Sequence, residues 1–74
     1  MFFVEQEIVH MEARIFRMFT EQTGLSPKDA AAVFAHGGVL PFIRDCYGLL
    51  HLSSDLCALE DVMRMLKAKG VYPS

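Results

Sequence analysis

Helix-ending and helix-starting signals follow one another closely in the middle of this chain, and they constrain its fold more than any other feature. Gly24 can adopt the positive φ that ends many helices. Ser26 is a favoured N-cap residue, and Pro27 suits the first helical position because its missing N–H is not needed there. Gly37-Gly38 then predicts a second break. The pattern therefore predicts a short helix over residues 27–36.

Apolar residues on either side of this helix recur at steps of three and four, which is typical of amphipathic helices. In the first segment, residues 3–23, the apolar stripe consists of Val4, Ile8, Met11, Ile15, Met18 and Phe19. In the last segment, residues 54–69, the inward positions are Leu56, Leu59, Val62, Met63 and Leu66, and an outer pair Glu60–Arg64 is expected.

Between these segments, residues 40–47 predict a third helix that ends at Gly48. The connector over residues 48–54 is compatible with extended chain or with a turn of helix. We therefore predict an all-α fold, a compact four-helix single domain that spans residues 1–74. A chain of this length has little margin of stability, because a small domain buries a small share of its unfolded surface.

The composition narrows the classes of partner. Seven Lys and Arg residues against nine Asp and Glu give a net charge of −2, and the basic residues are scattered along the chain. This makes nucleic acid an unlikely partner, since phosphate binding favours clustered positive charge. Neither a signal peptide nor a long apolar span is evident, so we expect a cytoplasmic protein without a membrane partner. Hydrophobic residues make up 53% of the chain, and this predicts apolar surface that another chain covers.

A second apolar cluster on the first helix is the leading candidate for that surface. Phe2, Val9, Ala13 and Phe16 lie on a flank that Glu5 and Glu12 separate from the main stripe. One small core cannot cover both faces of this helix. We therefore interpret the flank as a face for self-association or for binding a neighbouring protein.

His51 is the best single candidate for recognition or chemistry, because it lies in the connector beside a helix start. The simpler expectation is an imidazole that hydrogen-bonds a backbone group and holds the turn. Cys46 is expected in the core, and Cys57 falls in the first turn of the last helix, where a thiol can be activated. The histidines and cysteines lack the spacing of metal ligands, so we expect no metal, no cofactor and no enzymatic activity.

Two other interpretations remain open. The second and third helices, joined across Gly37-Gly38, match a helix-turn-helix DNA-binding regulator in outline, although the third offers little beyond Arg44 and Asp45 to contact DNA. Alternatively, His51 or Cys57 could serve a small enzyme at a dimer interface.

Several positions across residues 8–70 resemble a family of small bacterial helical proteins, the domain of unknown function family 3791. The residues that carry the resemblance are Leu25-Ser26, Ala30, Phe34, Gly38, Ile43, Tyr47, Leu50-His51, Asp61 and Gly70. It implies an all-helical fold without an established activity. It further implies an antitoxin-like role, or a role as the partner of an ADP-ribosyltransferase-like protein. The connector Leu52-Ser53-Ser54-Asp55 departs from the family pattern.

Overall fold

The chain folds into helices joined by short turns, and the computed structural model describes residues 5–72 of it. In chain order the helices are α1 (Glu5–Thr23), α2 (Pro27–Gly37), α3 (Val39–Asp45), α4 (Tyr47–Leu50) and α5 (Asp55–Lys69). Residues 5–72 contain no strand. The predicted all-α class is confirmed, with one additional short helix. The first two residues of the predicted 3–23 helix lie outside the described range.

The predicted start of α2 and the predicted glycine stops of α2 and α5 are confirmed by local geometry. The Ser26 Oγ accepts a hydrogen bond from the Asp29 N–H at 3.1 Å, so it caps α2 as expected. Gly38 ends that helix with φ of 64°, and Gly70 ends α5 with φ of 72°. Both residues occupy the left-handed region, in which a side chain is strained.

The prediction of a third helix that continues to residue 47 and stops at Gly48 is wrong. The α3 helix ends at Asp45, and Cys46, with φ −99° and ψ 8°, separates it from α4. Gly48 lies inside α4. Tyr47 and Leu50 are both buried, so a helical turn that directs their side chains inward is favoured over a stop. The connector over residues 48–54, for which the sequence allowed extended chain or a turn of helix, therefore begins with a turn of helix.

The core lies mainly between α1 and α5, the two longest helices. α1 packs more extensively against α5 than against any other helix. Fully buried side chains from both helices fill this contact, among them Met11, Ile15, Phe19, Ala58, Leu59, Val62 and Leu66. Val71 and Tyr72 pack against the core after the last helix, and the Tyr72 ring lies 5.5 Å from that of Phe19.

Two expectations about α5 are corrected. Leu56 was expected on the inward face but is 53% exposed, because the start of α5 meets α1 through an ion pair between Asp55 and Arg14 at 2.8 Å. Arg64 pairs with Asp61 at 2.8 Å rather than with Glu60, so the outer pair has i,i+3 spacing.

Polar contacts also hold the helices to one another. The Lys69 Nζ donates a hydrogen bond to the Gly37 carbonyl oxygen at 2.8 Å, which joins the ends of α5 and α2. Arg44 in α3 pairs with Glu5 in α1 at 2.6 Å, and this guanidinium lowers the pKa of the Glu5 carboxyl below its ordinary value. The start of α1 is thereby attached to α3.

Candidate functional site

An open apolar groove runs between α1 on one side and α2 and α3 on the other. It encloses about 530 Å³. Its lining is almost wholly apolar and comes from all three helices: Val9, Glu12, Ala13, Phe16, Ala31, Phe34, Ala35, Gly38, Leu40 and Pro41. Its volume falls within the range of ligand pockets, although its open form resembles a cleft between helices.

The flank predicted on α1 forms one wall of this groove. Val9, Ala13 and Phe16 all line it, and Val9 is 44% exposed. The structure therefore brings three of the four flank residues to one concave surface. The fourth, Phe2, lies outside the described residues.

Small residues on the opposite wall explain why the groove stays open. Ala31 and Ala35 of α2 face it, and Gly38 follows at the end of that helix. Their side chains are too short to fill the space in front of α1. Phe34 forms the floor of the groove. It is buried, and its ring packs edge to face against the Phe16 ring at a centroid distance of 5.1 Å.

One carboxylate lies among the apolar lining residues. Glu12 is buried, and its Oε1 is 3.6 Å from Nη2 of Arg44, which also binds Glu5. Glu12 was expected to separate the flank from the core stripe as a polar side chain. It does lie between the two surfaces, but its charge is largely covered and faces a cation, so it adds little polarity to the groove.

His51 lies apart from the groove, at the end of α4. Its Nδ1 donates a hydrogen bond to the Tyr47 carbonyl oxygen at 2.7 Å, and its ring stacks on the Tyr47 ring at 5.2 Å. The expected hydrogen bond to a backbone group is thus confirmed. The same carbonyl also accepts the His51 backbone N–H at 3.0 Å, so the imidazole is a second donor to it. The predicted site residues within residues 5–72 therefore fall in two separate places.

Sequence reasoning missed three exposed leucines that precede and follow His51 in the chain. Leu49 and Leu52 are each 76% exposed, and Leu56 follows across the turn between α4 and α5. We refer to these three residues as the leucine cap. The run of leucines at positions 49, 50 and 52 is the signal from which this surface could have been predicted.

The other reactive side chains do not assemble into a site. Cys46 is half-buried and Cys57 is exposed, and both are free thiols. Among residues 5–72, His, Cys, Asp and Glu side chains form no group of three that could hold a metal ion. Within that same range, none of the helices combines the length and apolar character required to cross a bilayer.

Comparison with known proteins identifies the family. The family model described as "Protein of unknown function (DUF3791)" matches residues 15–69, which include the helices from the middle of α1 to the end of α5. No curated protein and no solved structure matches the chain. The match covers well over half of the sequence and agrees with the resemblance seen in its capping and core residues. The chain belongs to the DUF3791 family of proteins of unknown function.

Proposed function

We propose that this protein is a protein-binding module that receives an apolar helical segment of another chain in the groove between α1 and α2–α3. The observation that carries this proposal is the groove itself, which has a volume of about 530 Å³ and an almost entirely apolar lining. A monomer gains nothing from exposing such a surface, and concave apolar surfaces of this kind are typical of sites for protein segments.

The walls of the groove suit an incoming helix. Ala13, Ala31 and Ala35 are small and exposed, so a second backbone can approach closely on that side. Phe16 and Leu40 add larger apolar contacts to the lining. A helix with apolar residues at i, i+3 or i+4, and i+7 would match this arrangement, as in other helix-in-groove complexes.

The chemistry of the groove favours binding over catalysis. A catalytic site needs convergent polar groups that can position a substrate or move a proton. The one ionisable side chain in the lining, Glu12, is covered and lies beside Arg44. We therefore propose a role without enzymatic activity of its own.

The family resemblance suggests the kind of partner. An ADP-ribosyltransferase-like protein, bound in an antitoxin-like manner, is one candidate that a groove for an apolar helix would suit. The alternative of DNA binding gains no support from α3, since Arg44 is engaged by Glu5 and Glu12. A recognition helix needs such side chains available for base edges and phosphates.

A pair of alanine variants on α2 tests the proposal. Ala31 lines the groove, whereas the neighbouring Ala32 is exposed and does not. Ala31→Glu places a carboxylate in the groove, and Ala32→Glu adds the same charge to the same helix outside it. We expect tagged wild-type protein and Ala32→Glu to retain the same partner from native lysate, and Ala31→Glu to lose it. Equal capture by both variants, each folded by circular dichroism, would refute the groove as the binding surface.

A further inference from the structure

The exposed large hydrophobic side chains of residues 5–72 occur in two places. Val9 and Leu40 belong to the groove, and Leu49, Leu52 and Leu56 form the leucine cap. The first surface is concave and the second lies on a turn, where side chains project outward. No residue of the cap lines the groove, so the chain carries both surfaces at once.

We propose that the leucine cap of one copy binds in the groove of a second copy, so that the chain associates head to tail. This inference rests on the proposed function and names the occupant of the same groove, with the difference that the inserted segment is the turn between α4 and α5 and not one continuous helix. Leu49 and Leu52 are each 76% exposed, more than any large apolar side chain of the groove, and burial in an apolar groove would remove them from water.

Charges around the two surfaces are complementary. Arg17 lies four residues after Ala13 on α1, and Lys28 lies three residues before Ala31 on α2, so both cations are on the helix faces that form the groove. Among the described residues, neither cation is part of an ion pair. The groove therefore has unpaired positive charge at its edge.

Two carboxylates lie near the leucine cap along the chain. Asp45 ends α3, on the other side of the break at Cys46 from Leu49, and Glu60 lies four residues after Leu56 on α5. Both are exposed, and neither belongs to an ion pair within residues 5–72. Insertion of the cap would bring this negative edge toward the positive edge of the groove, and such complementarity fixes orientation and partner choice.

The geometry predicts a particular kind of assembly. Because the two surfaces differ and lie on different helices, the contact is heterologous, and each bound copy still presents one free groove and one free cap. Association should therefore continue beyond a dimer as a ring or an open chain. A symmetric dimer in which two grooves face each other would not use the cap at all.

Sedimentation of three variants with the same added charge tests this arrangement. Ala31→Glu blocks the groove, Leu52→Glu alters the cap at an exposed turn position, and Ala32→Glu is the control outside both surfaces. We expect wild type and Ala32→Glu to form species that grow with concentration. Ala31→Glu alone and Leu52→Glu alone should each sediment as monomers. A mixture of these two should form a one-to-one heterodimer, because one keeps a cap and the other keeps a groove.

Other outcomes separate the inference from the proposed function. If Leu52→Glu associates like wild type while Ala31→Glu does not, the groove binds protein but the cap is not its occupant, and the head-to-tail inference is overturned. If wild type remains a monomer at high micromolar concentration, the inference is again overturned, and partner capture by the Ala31→Glu and Ala32→Glu pair still decides the proposed function. If Ala31→Glu and Leu52→Glu both associate like the control, neither surface mediates self-association.

Discussion

The two sides of α1 show how differently one helix can be covered. Against α5, its side chains Met11, Ile15 and Phe19 are at most 1% exposed, and the contact is filled. Toward α2 and α3, the same helix presents Val9, Ala13 and Phe16 to an open groove. The difference arises from the opposite walls, since α5 contributes large aliphatic side chains and α2 contributes alanines.

From this contrast we expect the side of α1 that faces α5 to determine stability and the side that faces the groove to determine binding. Burial of a large side chain stabilises a fold by about 1.5–3 kcal/mol, so the filled side accounts for most of what holds the helices together. The open side leaves apolar area exposed that a partner can cover. We therefore expect substitutions on the two sides to differ in kind, with loss of folding on one and loss of association on the other.

The largest effect is expected for a cavity on the filled side. Ile15 is fully buried, so Ile15→Ala should lower the free energy of unfolding by about 2–5 kcal/mol. Val9→Ala, six residues earlier on the open side, should lower it by less than about 1 kcal/mol, because that side chain is 44% exposed. Urea denaturation followed by circular dichroism measures both values. Similar losses for the two variants would remove the distinction between the sides.

A smaller effect is expected where α2 approaches α5. Gly37 is buried, and a Cβ at this position would collide with the Leu66 side chain. Gly37→Ala should therefore cost about 1–3 kcal/mol through overpacking.

Adding Leu66→Ala provides the control for Gly37→Ala, because it makes room for the new methyl group. The double variant should be less destabilised than the sum of the single variants. Strict additivity in a urea-based double-mutant cycle would show that the two side chains do not compete for the same space.

The N-cap residue of α2, Ser26, tests how much a local hydrogen bond stabilises the helix that forms one wall of the groove. Ser26→Ala should lower the free energy of unfolding by about 1 kcal/mol, since the Asp29 N–H would lose its side-chain acceptor. Lys28 lies in the same first turn, and within residues 5–72 its side chain forms no ion pair, so Lys28→Ala should be nearly neutral in stability. Thermal or urea unfolding distinguishes them. Equal and negligible losses would mean that the capping bond contributes nothing to α2.

The smallest effect is expected at His51, at the end of α4. His51→Ala removes one of two hydrogen bonds to the Tyr47 carbonyl, and the backbone N–H of residue 51 remains as a donor. The loss should be about 0.5–1 kcal/mol, below that of a change that leaves a buried group unsatisfied. His10→Ala, at an exposed position on α1, is the control and should be neutral. A loss well above the expected range would assign His51 a larger structural role than this hydrogen bond supports.

Much of the fold follows from local sequence signals. Ser26 and Gly38 mark the ends of α2 because capping and positive φ depend on a few neighbouring residues. The break at Cys46 and the helical position of Gly48 could not be predicted in this way. They depend on the burial of Tyr47, a tertiary effect that overrides the local preference of glycine.

The candidate site was predictable only in part. The α1 flank was visible as apolar residues in excess of one stripe, and Val9, Ala13 and Phe16 do share a surface. Its opposite wall was not predictable, because Ala31 and Ala35 carry no chemical signal and the sequence does not specify that α2 packs opposite this flank of α1. The exposure of Leu52 depends likewise on the direction of a turn, which the leucine-rich sequence does not specify.

The central claim is that α1 stabilises the fold with one face and binds protein with the other, and two phenylalanines test it most directly. Phe16 lines the groove and Phe19 is fully buried, although both rings lie 5.1 Å from that of Phe34. We expect Phe19→Ala to lower the free energy of unfolding by about 3–5 kcal/mol. Phe16→Ala should lower it by no more than about 2 kcal/mol and should abolish self-association and partner capture while the protein stays folded. A Phe16→Ala protein that loses as much stability as Phe19→Ala and still binds like wild type would contradict the account.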